Sequence, residues 1–126
     1  MEIEDINKIT ESVIGAAIDV HRALGPGLLE STYEECLACE LNLRGIPFER
    51  QKPLPISYKG ISLECGYRLD FVANSVVVVE IKSVSAILPI HEAQLLTYLR
   101  LGSWKVGLLI NFNVSVLRDG IRRKML

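Results

Sequence analysis

Residues 76–79 are four consecutive valines. A β-branched run of that kind is at home in a strand covered on both faces. It is followed at once by Glu80 and, after Ile81, by Lys82. Ionised groups buried without partners are strongly destabilising, so this strand either ends at the surface or carries its charges for a chemical purpose. Glu80 and Lys82 are two apart and point to the same face of a strand. Asp70 lies beyond the turn at Asn74-Ser75 and offers a second carboxylate.

Whether that carboxylate reaches the same place is a question of register. A strict two-residue turn pairs position 70 with 79 and turns Asp70 away from Glu80. Convergence requires a bulge, a turn of odd length, or a strand that bends at Asp70. Given one of these, two carboxylates and an ammonium meet where the valine strand leaves the core. The two carboxylates, water and the backbone carbonyl of Ile81 would suit an octahedral Mg²⁺. The plainer alternative is an ion pair between Glu80 and Lys82 at a fraying strand end.

Periodicity organises the remainder. Ile3, Ile6, Ile9, Val13, Ile14, Ala17, Val20 and Leu24 recur at three- and four-residue intervals, predicting an amphipathic helix over 3–24 that Gly25-Pro26-Gly27 ends. A second helix is predicted over 29–44, with Tyr33, Leu37 and Leu41 on one face and Gly45 and Pro47 as its stop. Extended runs follow over 48–52, 55–58 and 61–65, with a hairpin turn at Lys59-Gly60, and then a hairpin over 67–73 and 76–82. A third helix over 90–101 precedes a buried strand over 105–111 and a last strand over 121–125. The expected class is α/β (α+β), a mixed central sheet flanked by helices. With 126 residues the chain suits one domain over 1–126.

The net charge of -1 argues against binding to nucleic acid by bulk electrostatic attraction alone. Any such contact must be local, and residues 118–124, RDGIRRK, are the most basic stretch. Cys36, Cys39 and Cys65 are odd in number and lack the paired spacing of a zinc site, so buried free thiols in a reducing, cytoplasmic setting are expected. The acidic start MEIEDINKI has no basic, apolar leader pattern, and no stretch approaches the ~20 apolar residues of a membrane span. His21 and His91 are isolated histidines. His21 suits packing or solvent, while His91, one helical turn before Gln94, is in reach of a site on that helix.

Glu30, in the first turn of its helix, is stabilised by the helix dipole whatever else it does. Gln94 and Tyr98, four apart, share a helix face. Taken with their surroundings, these residues resemble the PD-(D/E)XK nuclease superfamily, and within it the small bacterial branch called the GxxExxY proteins. The naming motif stands as Gly27-Leu28-Leu29-Glu30-Ser31-Thr32-Tyr33, followed in order by GIPFERQKPLPISYKG, GYRLDF, VVEIKSV, HEAQLLTYLRL and VGLLINF.

The resemblance implies a restriction-endonuclease-like core. It implies that Asp70 and Glu80 bind Mg²⁺ or Mn²⁺, that Lys82 positions or activates the attacking water, and that Glu30 adds to the metal site directly or through water. Gln94 matches a glutamine that braces the site, and Tyr98 a tyrosine that approaches a phosphate. Tyr33 and His91 join Tyr98 as candidate substrate contacts, Tyr33 being also a candidate core anchor. Leu69 stands where many members carry proline before the aspartate.

The function these features lead one to expect is metal-dependent hydrolysis of nucleic-acid phosphodiester bonds, with DNA ahead of RNA as partner and no membrane. The alternative is a non-catalytic nucleic-acid-binding or oligomeric assembly module that retains the nuclease fold. A homodimer would enlarge a surface too small to grip a duplex. An empty site is expected to raise the pKa of at least one of its carboxylates by mutual repulsion.

Overall fold

The valine run is the middle strand of a five-stranded mixed sheet in a computed structural model that describes residues 1–126. Chain order is α1 (Ile3–Leu24), α2 (Glu30–Leu43), β1 (Phe48–Pro53), a separate small hairpin of β2 (Ile56–Tyr58) and β3 (Ile61–Leu63), β4 (Arg68–Ala73), β5 (Val77–Lys82), α3 (Pro89–Gly102), β6 (Val106–Asn111), a 3-10 helix Leu117–Gly120, and β7 (Ile121–Met125). Every element expected from periodicity forms. The short 3-10 helix is an addition, and termini shift by at most two residues.

Sheet order is β1-β4-β5-β6-β7, with only β5 and β6 parallel. Parallel neighbours need a crossover, and α3 supplies it. Alternation along β5 sends Val77, Val79 and Ile81 into a core shared with α1 and α2, where Ala17, Leu37 and Leu41 meet them. Val78 faces the other way, into a smaller cluster with Leu95 and Leu99 of α3 and Leu109 of β6. Both faces of the valine strand are therefore covered. Glu80 has the parity of Val78 and emerges on the α3 side, past the end of that smaller cluster.

The thiols differ from expectation. They are free, but Cys39 and Cys65 are exposed and Cys36 is half-buried. Cys39 lies on the outer face of α2 and Cys65 in the connection before β4, so neither position needs an apolar filler. The basic strand β7 is largely occupied within the chain: Lys124 pairs with Glu92 at 2.6 Å, Arg123 donates to Asn7, and Arg122 donates to the carbonyls of Asp119 and Ile121. No helix is long and apolar enough to cross a membrane.

Candidate active site

The turn between β4 and β5 decides where Asp70 points. Ala73 pairs with Val77, leaving a loop of odd length, Asn74, Ser75 and Val76, in place of a two-residue turn. Asn74 and Ser75 both adopt positive φ, 50° and 62°, and the Val76 N–H closes back on the Ala73 carbonyl at 3.0 Å. The register that follows sets Phe71 against Val79, and one step further it sets Asp70 against Glu80. An odd loop is one of the three devices that bring the carboxylates to one face, and it is the one found here.

At that step the backbone ladder stops, and carboxylates take over from carbonyls. The Asp70 N–H donates to Glu80 Oε2 at 2.9 Å, and the Ile81 N–H donates to Asp70 Oδ2 at 2.8 Å. On its other edge β5 stays bonded to β6 as far as Lys82. The strands β4 and β5 thus part at Asp70 and Glu80 while each end is satisfied by the other's side chain. The site is a split in the sheet, lined by two acids.

The charge at that split is only partly compensated. Glu80 is only 8% exposed. Burial, and after it the neighbouring Asp70 charge, pushes its carboxyl up to about 9. No ion pair of the chain involves Asp70, Glu80, Lys82 or Glu30, so the simple Glu80–Lys82 pair is absent. Lys82 is half-buried, and its charge still lowers the Glu80 carboxyl somewhat. A buried carboxyl beside a second, half-buried carboxylate, with no lysine or arginine bonded to either, favours uptake of a proton or a positive ion. Oxygen ligands of this kind suit a hard divalent cation, which commonly accepts one or two carboxylates and keeps several waters.

Glu30 stands at the rim. Its carboxyl is raised by burial, lowered by Lys82 and raised again by Asp70, which places it within electrostatic reach of both. It does not close on the pair: no group of three or more His, Cys, Asp or Glu side chains is arranged to hold a metal. Its position is set by Tyr33. That side chain is fully buried, stacks on Phe112 with ring centroids 4.6 Å apart, donates to the Gly25 carbonyl at 2.5 Å and accepts from the Leu28 N–H at 3.2 Å.

Tyr33 is therefore an anchor for the loop that leads into Glu30 at the start of α2, and its burial removes it as a substrate contact. Its inward place on α2 is the reason. Tyr33→Phe keeps the ring but leaves a carbonyl and an N–H without their partner. A loss of about 1–3 kcal/mol in unfolding free energy is expected, read by urea titration.

On the far wall α3 presents Gln94 and Tyr98 together. Both line a cavity of about 500 Å³ with Ile56, Tyr67, Ile90 and Leu101. Burial first, then the Glu80 charge, pushes the Tyr98 phenol up, so Tyr98 lines the cavity within electrostatic reach of the carboxylates and keeps its proton. His91 has a different task, since its Nδ1 accepts the Leu88 N–H at 3.0 Å and holds the start of α3. His21 is buried with Nε2 at 2.8 Å from the Val114 carbonyl, a packing role.

A split sheet carrying an Asp, then Glu-x-Lys on the next strand, is the arrangement on which a comparison with known families bears. The family model of the PD-(D/E)XK nuclease superfamily matches residues 7–124. The chain belongs to that superfamily. No curated protein and no solved structure matches it closely enough to add to this. The mixed sheet with helices on both faces is the restriction-endonuclease-like fold of the superfamily.

Three residues around this candidate site were not singled out from sequence. Gln51 Nε2 lies 3.3 Å from Asp70 Oδ1 and 2.8 Å from Glu34 Oε1. Glu34 is held in turn by Arg50 at 2.8 Å. Glu34 had a faint signal, one helical turn after Glu30. Gln51 had none, because only the pairing of β1 with β4 brings it to Asp70. The third, Asn111, is buried and clamps Val84 through both its N–H and carbonyl at 3.0 Å, fixing the chain as it leaves Lys82.

Proposed function

We propose that this protein is a divalent-cation-dependent nuclease acting at the split between β4 and β5. The observation that carries the reading is the buried Glu80 carboxyl, set against Asp70 with no lysine, arginine or histidine side chain paired to either. Asp70 and Glu80 would hold Mg²⁺ or Mn²⁺, which supplies Lewis acidity at the scissile phosphate and acidifies water. Lys82, on the same strand and face as Glu80, orients the attacking water and offsets the negative charge that grows on the phosphoryl oxygens. Tyr98, protonated and near both carboxylates, donates to a phosphate oxygen. Glu30 reaches the site through water.

The shape of the neighbouring surface bears on the substrate. A net charge of -1 leaves little basic surface for gripping a duplex. Stacking on aromatic side chains is the other source of affinity for a nucleic acid, worth about 1–3 kcal/mol per base. Tyr67 is 44% exposed, and its ring centroid lies 6.0 Å from that of Tyr98 at the cavity beside the carboxylates. The substrate that fits is an unpaired strand, one base lying against Tyr67 while its phosphate reaches the acids. Tyr67→Ala is expected to weaken binding of a short single-stranded oligonucleotide about tenfold in EDTA, measured by fluorescence anisotropy. Unchanged binding, or a preference for duplex, would remove the unpaired-strand assignment.

The reading as a whole is tested with metal-stripped protein and a panel of single- and double-stranded DNA and RNA. Cleavage on adding Mg²⁺ or Mn²⁺, abolished by EDTA, is the expected result. No cleavage of any substrate, together with no metal-dependent rise in melting temperature, would favour an assembly or binding module built on the same fold.

A further inference from the structure

Among residues other than glycine, five adopt positive φ: Gln51, Lys59, Asn74, Ser75 and Ser103. Four have an ordinary reason. Lys59 lies in the tip of the small hairpin, Asn74 and Ser75 in the β4–β5 turn, and Ser103 at the end of α3. Gln51 stands alone inside a strand, with φ at 52°. A side chain on Cβ disfavours that backbone region, and single residues are kept there only where their surroundings enforce it.

Its neighbours in the register show what the distortion accompanies. Arg50 pairs with Phe71 and Lys52 with Leu69, so Gln51 stands across from Asp70 at the one missing step of the β1–β4 ladder. There the Asp70 N–H donates to Glu80, away from β1. The regular alternation of β4 also lapses at this point, since Leu69 and Val72 share the cluster under α3. The Gln51 amide then donates to Asp70 Oδ1 and Glu34 Oε1, two carboxylates that both demand the NH₂ end, while Arg50 holds the second oxygen of Glu34. With the Ile81 N–H on Oδ2, each oxygen of Asp70 has its own donor.

We propose that Gln51 is a positioning residue for the metal-binding aspartate. Its left-handed backbone aims the amide at Asp70, and the relay Arg50–Glu34–Gln51 fixes the direction in which Asp70 offers its free lone pairs. This rests on the divalent-cation reading of Asp70 and Glu80. Its test separates the two through variants that differ in backbone but not in lost amide. Gln51→Gly removes the amide and relieves the backbone. Gln51→Ala removes the amide and keeps a Cβ at positive φ.

Mg²⁺ binding by calorimetry and metal-free thermal melting are the readouts. Both variants are expected to bind Mg²⁺ about 10- to 100-fold more weakly than the wild type, the usual loss when a group orienting a metal ligand is removed. Without metal, Gln51→Gly is expected to melt several degrees above Gln51→Ala. Wild-type affinity in either variant, or equal melting temperatures for the two, overturns the assignment. Mg²⁺ binding absent from the wild type itself overturns the cation reading together with this one.

Discussion

Asp70→Asn and Lys82→Ala should each lower the rate of metal-dependent cleavage by about 10²–10³-fold or more, with folding unchanged. The aspartate substitution is chosen as Asn because Asp70 has two duties. Its Oδ2 accepts the Ile81 N–H where the ladder ends, and its charge completes the acidic pair. An amide oxygen retains the first duty and removes the second, while its NH₂ is set against the donating Gln51 amide, so a loss of cleavage in a folded variant reports on charge and donor placement at the split and not on a collapsed strand. Lys82 has no ion pair to break, and at neutral pH the Glu80 carboxyl it faces can hold its proton when the ammonium is gone. Far-ultraviolet circular dichroism and melting curves should therefore overlay those of the wild type closely for Lys82→Ala. Equal cleavage by the wild type and both variants would identify a contaminating nuclease.

The sites of these substitutions were visible in the sequence because the signals are local. A valine run must be buried, charges two residues apart must share a face, and helix periodicity places Gln94 beside Tyr98. The turn was only half legible. Asn74-Ser75 reads as a hairpin, but a two-residue loop and a three-residue loop use the same residues and put Asp70 on opposite faces. What settles the matter is burial: with Ala73 against Val77, Phe71 and Val79 fall together into the large core, and Asp70 falls beside Glu80.

The Gln51 contact was not legible at all. It depends on the pairing of two strands separated by the whole β2–β3 excursion, and glutamine carries no preference for positive φ that could announce it. Tyr33 shows the reverse difficulty. Its motif is distinctive, yet spacing does not tell a hydroxyl that meets substrate from one that ties down a loop. Only its complete burial and its bonds to Gly25 and Leu28 do so.

The same acidic split makes the metal-free protein sensitive to pH in a direction opposite to that of salt-bridged carboxylates. Burial, and after it the Asp70 charge, pushes the Glu80 carboxyl up to about 9 in the folded chain from 4.5 for the unperturbed group. Between those values the native state holds a proton that the unfolded state has released. Stability therefore falls as pH rises through that window and is flat below it, by about 1.4 kcal/mol per pH unit at the steepest. From about pH 5 to pH 8 the loss amounts to a few kcal/mol, a large share of the margin of a small domain.

Glu80→Gln cannot release the proton. Its amide oxygen can still accept the Asp70 N–H, so the variant should lose this slope and be the more stable protein at pH 8, by urea unfolding in EDTA. Mg²⁺ should stabilise the wild type more at pH 8 than at pH 6, since binding needs the ionised carboxylate, and should stabilise Glu80→Gln little at either. A wild-type stability that stays level or rises from pH 5 to pH 8 without metal would mean that Glu80 is ionised and compensated in the folded chain, and the case for a cation at the split would fall with it.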